Sequence, residues 1–234
     1  MGSLSSLEKR QQIFCFNSTL RKINLIYLYL SLMALIDHTQ LFNRFELLIW
    51  EINDTDKIEV SNLPNNILKK IDSNKSQLKK NQILAVHQIL KHRNIPSQDL
   101  FYNDYGAPFL TNGLYISISH SEFFVAVCLS KEKVGIDLQI IHEKIFKVSN
   151  KFINDLEKKL TEKKNLEKLT QLWTIKEAAY KYFAVGQLSL KNDIIVTQLG
   201  DDSNLEINSL GKHLNLKSKS IITPNYICSL VYDE

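Results

Sequence analysis

The sequence predicts an α+β chain in two halves, each joining a few short strands to one long helix. Two observations carry this. Apolar runs with strand-like alternation, bounded by turn residues, fall on both sides of the chain's middle. Helical apolar stripes cover Ser76 to His92 in the first half and Leu169 to Phe183 in the second.

In chain order, FELLIWEI at Phe45 to Ile52 reads as the opening strand, followed by the polar segment INDTDKIEVSNLP. The helix at Ser76 to His92 sets Leu78, Ile83, Leu84, Val86 and Leu90 between lysines, and Pro96 closes it. Turn residues Asn103, Asp104, Gly106 and Pro108 lead through Asn112-Gly113 into the alternating strand LYISISH. FFVAVCLS follows, then a turn at Lys131 to Lys133, then VGIDLQII, so the three runs are expected to form an antiparallel meander. Lys144 to Lys168 is helical by charge and period, and a second helix carries WTIKEAAYKYF. IIVTQL, LEINSL and YICSLVYDE supply late strands.

Composition sets limits on function. With 234 residues, 44% of them hydrophobic, the chain is long enough for a sizeable core, and a net charge of +4 favours an anionic ligand or acidic partner. That balance is too weak to argue for nucleic acid. Cys15, Cys128 and Cys228 lie far apart, form no zinc-ligand spacing, and fit a reducing compartment, so a cytoplasmic protein is expected. Basic residues at Lys9, Arg10, Arg21 and Lys22 precede the apolar stretch 23–36, like a secretory leader. That stretch is shorter than the ~20 residues a spanning helix needs, and no small-residue cleavage signal follows it. Gly2 with Ser6 meets the loose myristoylation pattern, which arises often by chance. The expectation is an upstream extension over 1–32, then halves at 33–130 and 131–234, without stable membrane association.

Two short runs carry chemistry. In Gly135-Ile136-Asp137-Leu138-Gln139, strand alternation puts Asp137 and Gln139 on one face and Ile136 and Leu138 on the other. In the run from Trp173 to Lys181, helical spacing aligns Trp173, Glu177 and Lys181 on one face. If strand and helix pack together, Asp137 and Glu177 converge on a hard divalent cation and Lys181 reaches a phosphate. An exposed Glu177–Lys181 helix pair and an Asp at a strand end form the plainer alternative. Ser117-Ile118-Ser119-His120-Ser121 adds hydroxyls and an imidazole, but no GxSxG elbow or hydrolase triad order accompanies it.

Taken in order, GAPFL at 106–110, SISHS at 117–121, VGIDLQ at 134–139, the segment Lys151 to Glu157 and LWTIKEAAYK at 172–181 resemble the 4′-phosphopantetheinyl transferase superfamily, surfactin-synthetase-activating type. The resemblance implies a pseudo-dimer of two similar α+β halves, each a small mainly antiparallel sheet with a long helix, folded as a monomer. It also implies an enzyme of the holo-acyl-carrier-protein synthase kind, which moves the phosphopantetheine arm of coenzyme A to a serine of an apo acyl- or peptidyl-carrier protein and releases 3′,5′-ADP. Asp137 and Glu177 are then Mg²⁺ ligands, with Gln139 where a third acid usually stands, and Lys181 contacts the pyrophosphate. Gly106, Pro108, Ser119 and His120 match the coenzyme A nucleotide site, with His120 near the 3′-phosphate. Trp173 packs the helix.

The chain departs from the family pattern at Gln139, at Ala107 in place of a basic residue, and at His87 in place of an arginine. Lys75, Lys79 and Lys80 are alternative phosphate contacts beside His87. A paralogue that binds coenzyme A or a carrier protein without turnover is the competing expectation.

Overall fold

The computed structural model describes residues 35–53, 63–161, 165–184, 188–209 and 211–234. The expected extension 1–32, with Cys15 and nearly all of the apolar stretch 23–36, lies outside them. Among the described residues no helix is long and apolar enough to cross a membrane.

The first sheet takes β1 (Leu35–Leu41), β2 (Phe45–Glu51), β5 (Tyr115–Ser121) and β6 (Phe124–Ser130) in the order β1-β2-β6-β5. Between β2 and β5 run helices α1 (Asn65–Ser73) and α2 (Gln77–His92) and the small hairpin of β3 (Leu100–Tyr102) and β4 (Pro108–Leu110). The second sheet takes β7 (Val134–Ile140), β8 (Ile194–Gln198), β9 (Asp202–Ser209), β10 (Lys212–Ile222) and β11 (Tyr226–Tyr232) in the order β7-β11-β10-β9-β8. Helices α3 (Lys144–Val148) and α4 (Leu166–Phe183) lie between β7 and β8. The α+β expectation holds. In each sheet a strand leads to a long helix and then to a hairpin whose second strand returns beside the first: β2-β6-β5 with α2, and β7-β11-β10 with α4.

Alternation builds three apolar layers. Phe45, Leu47 and Ile49 of β2, with Ala126 and Cys128 of β6, meet Ile136 and Leu138 of β7 and Cys228 and Leu230 of β11 between the sheets. The opposite face of the first sheet, through Leu48, Trp50 and Val127, packs on Ala85, Val86 and Ile89 of α2. Leu172, Ile175 and Ala179 of α4 cover the second sheet at Leu205, Leu216 and Val231. Ser76 caps α2 by accepting the Lys79 N–H, and Asn165 caps α4 by accepting that of Lys168.

The expected meander is corrected. β5 and β6 form the hairpin, but β7 belongs to the other sheet. At the edge of that sheet, the N–H groups of Ile136, Leu138 and Ile140 donate to the hydroxyls of Ser117, Ser119 and Ser121 at 2.9, 3.0 and 3.1 Å. The constant offset shows that β5 and β7 run side by side in one direction. Serine side chains, rather than a backbone ladder, satisfy the buried edge amides.

The single helix expected over Lys144 to Lys168 is also corrected: α3 ends at Val148, and short 3₁₀ turns at Ser149–Lys151 and Glu157–Lys159 follow it. Their cause is Lys176 of α4, which is fully buried. It donates to the carbonyls of Phe152 and Leu190 at 2.7 and 2.8 Å and pairs with the equally buried Glu157 at 2.6 Å. Glu157 also accepts the N–H groups of Asn154 and Val196. A charge this deep requires all its partners, so the segment wraps around it instead of staying helical.

Candidate active site

β7 and α4 position the site, and Gly135 sets their separation. A side chain there would meet the Ala178 carbonyl oxygen at 2.0 Å and the Tyr182 nitrogen at 2.6 Å, so the strand touches the helix backbone. Two residues on, Asp137 points from the same strand face toward the helix, where Glu177 and Lys181 project. Lys181 Nζ donates to Asp137 Oδ1 at 2.7 Å. Ser119 Oγ donates to the same oxygen, also at 2.7 Å. Asp137 is only 7% exposed.

Asp137, Gln139, Glu177 and Lys181 share a cleft of about 310 Å³ with Ser119, His120 and Trp173. The Glu177 carboxyl is pushed up to about 7, chiefly by burial and then by the charge of Asp137, with Lys181 opposing. The His120 imidazole is held below its ordinary range by partial desolvation and then by Lys181. Trp173 lies edge-on to Phe152 with ring centres 4.9 Å apart, so its packing partner is the loop after α3.

Two further hollows open beside the cleft. One, of about 350 Å³, carries Lys70, Lys79 and His120 with Tyr102, Gly106 and Pro108 on its walls. The other, of about 360 Å³, runs from Lys181 past Tyr105, Gly106, Pro108, Phe109 and Tyr115 to Lys133. Gly106 sits at φ 78°, a left-handed conformation that favours glycine, in the loop between β3 and β4. Asn103 holds that loop by accepting the N–H groups of Tyr105 and Ala107.

The structure thus brings Asp137, Gln139, Glu177, Lys181, Ser119 and His120 together, and sets Gly106 and Pro108 beside them. Three other candidates are placed differently. His87 is 4% exposed, its Nδ1 is 3.0 Å from Ser97 Oγ, and burial with the charge of Lys70 lowers it to about 4. It therefore faces the interior as a neutral ring. Lys75 is exposed just before α2 and Lys80 is half-buried on it, but neither lines the three hollows. Helical phase instead sets Lys79, an exposed side chain, on the wall of the second hollow, with Lys70 of α1 alongside. Lys70, Gly135 and Lys176 are the residues sequence reasoning passed over. The glycine before the aspartate was the available signal for a close approach.

The donor set tests whether a cation fits. Among the described residues no group of three or more His, Cys, Asp or Glu gathers. Two carboxylates and the Gln139 amide oxygen on one cleft suit a hard divalent ion that retains waters.

A long helix crossing an antiparallel sheet, with an acid pair and a lysine at their contact, defines an α+β unit whose cleft can take a cation and an anionic group. Residues 133–231 match the family model of the 4′-phosphopantetheinyl transferase superfamily. The 4′-phosphopantetheinyl transferase gsp of Aneurinibacillus migulanus is 29% identical over 111 residues, which cover 45% of this chain and 47% of that protein. The chain thus spans about half the length of the curated relative it matches. Both comparisons bear out the resemblance read from the motifs.

Proposed function

We propose that the protein transfers the 4′-phosphopantetheine arm of coenzyme A to a serine of an apo acyl- or peptidyl-carrier protein. The observation that carries this is the convergence of Asp137, Glu177 and Lys181 in one cleft beside a lysine- and histidine-lined hollow. In this reading Lys70, Lys79 and His120 hold the phosphorylated nucleotide end, and Lys181 lies against the pyrophosphate. Glu177 accepts the proton of the incoming serine, directly or through water. The serine oxygen bonds to the β-phosphorus as the bond to 3′,5′-ADP breaks. Asp137 and Glu177, with the Gln139 amide oxygen, would hold Mg²⁺. When bound, Mg²⁺ supplies neutralisation of charge on the pyrophosphate and its leaving group.

The halves 33–130 and 131–234 acting as one monomeric pseudo-dimer belong to the same proposal, supported by the order that three strands of each sheet share, β2-β6-β5 and β7-β11-β10. Cytoplasmic placement goes with it. Cys128 and Cys228 are free and buried, and burial pushes both thiols up, which suits inert core residues.

The test is to incubate the full chain with coenzyme A, Mg²⁺ and apo carrier proteins from fatty-acid, polyketide and peptide synthesis, then weigh the carriers. A gain of one phosphopantetheine is expected. No gain on any carrier, with coenzyme A still bound, would support the binding-only alternative instead.

A further inference from the structure

We propose that Ser119 is a positioning residue for Asp137, its hydroxyl acting inside the seam between the sheets. The inference rests on the proposed transferase reading and goes one step deeper into the same site.

Ser119 is 4% exposed, and its hydroxyl is committed on both sides. It accepts the Leu138 N–H at 3.0 Å, which fixes the oxygen against β7, and it donates to Asp137 Oδ1 at 2.7 Å. Because Lys181 donates to that same oxygen at 2.7 Å, Oδ1 is held by two donors. Among the described residues Oδ2 has no hydrogen-bond partner, so it is the oxygen left for a cation. A hydroxyl with its own oxygen pinned by a backbone amide cannot swing away, so the carboxylate is held in one rotamer.

The neighbouring serines supply a built-in comparison. Ser121 is 7% exposed and accepts the Ile140 N–H in the same way, but its hydroxyl has no bond to Asp137. Removing either hydroxyl therefore leaves one edge amide unpaired, and only Ser119→Ala also takes away one of the two donors that hold the carboxylate.

The experiment compares the full chain with Ser119→Ala, Ser119→Thr and Ser121→Ala. Binding of Mn²⁺ in the presence of coenzyme A is followed by electron paramagnetic resonance, beside thermal unfolding and steady-state transfer. Ser119→Ala should weaken Mn²⁺ binding by roughly tenfold or more, the scale of a lost hydrogen bond to a charged group. It should raise the Mg²⁺ concentration for half-maximal rate in parallel and leave the KM for coenzyme A within about threefold. Ser119→Thr should restore both, and Ser121→Ala should share the loss of stability without the metal effect. Equal Mn²⁺ binding in the two alanine variants, or a Ser119→Ala defect confined to the KM for coenzyme A, overturns the inference while leaving the transferase reading intact. A wild-type chain that neither binds Mn²⁺ nor modifies a carrier overturns both.

Discussion

Replacing Gly135 by alanine tests the structural logic of the site, because it adds one methyl group where β7 meets α4. The new carbon would stand 2.0 Å from the Ala178 carbonyl oxygen, 2.6 Å from the Tyr182 nitrogen and 3.0 Å from the Tyr182 Cα. All three are backbone atoms, so no side chain can rotate away. Ordinary contact requires strand and helix to part by roughly 1 Å, an overpacking strain of about 3 kcal/mol. For a chain of this length that lowers the melting temperature by about 6–12 °C. The same shift opens the 2.7 Å contact of Lys181 with Asp137 and moves Glu177 from its neighbour. A displacement of that size at a reacting centre costs about a hundredfold in rate. Circular dichroism and the carrier-mass assay read the two effects. A Gly135→Ala protein that melts within 2 °C of wild type (roughly the shift expected from 1 kcal/mol or less) and transfers at an unchanged rate would refute the claim that this glycine sets the site's spacing.

Glu177→Gln should abolish transfer more completely than Gln139→Ala, since only the former removes a charge from the proposed metal site; equal losses would show that the proposed ranking is wrong. The same Glu177→Gln change should stabilise the metal-free protein at pH 8. The folded carboxyl titrates near 7 against an unfolded value of 4.5, so its favourable term is complete below 4.5 and lost as pH rises through 7. Lys176→Met should lower stability by about 3–5 kcal/mol in urea unfolding by stranding Glu157, and the double variant with Glu157→Gln should recover part of it. His87, lowered from 6.5 to about 4, contributes stability present above 6.5 and lost as pH falls through 4. His87→Gln should therefore flatten the acid limb of the stability curve between those values, a difference of about 3 kcal/mol at pH 4.

Alternation made β5 and β7 legible, apolar runs made β2, β6 and β11 legible, and helical period made α2 and α4 legible. β10 was not legible, because KHLNLKSKSII turns Leu216, Ser218 and Ser220 inward, and serines do not read as a core face. The break after α3 escaped notice for a related reason: Lys176 and Glu157 read as surface charges until their shared burial is known. At the site, spacing within one strand and one helix was enough for Asp137, Gln139, Glu177 and Lys181. His87 and Lys79 were harder, since the phase of α2 relative to the hollow depends on how α1 and the β3–β4 hairpin pack, which no local pattern encodes.

Ile118 lines all three hollows around the site. It stands at the corner common to the acidic cleft, the basic hollow and the aromatic hollow, so a ligand that occupies all three lies against this side chain. Trimming or enlarging this one aliphatic residue therefore reshapes the junction of the three compartments without touching a charged group.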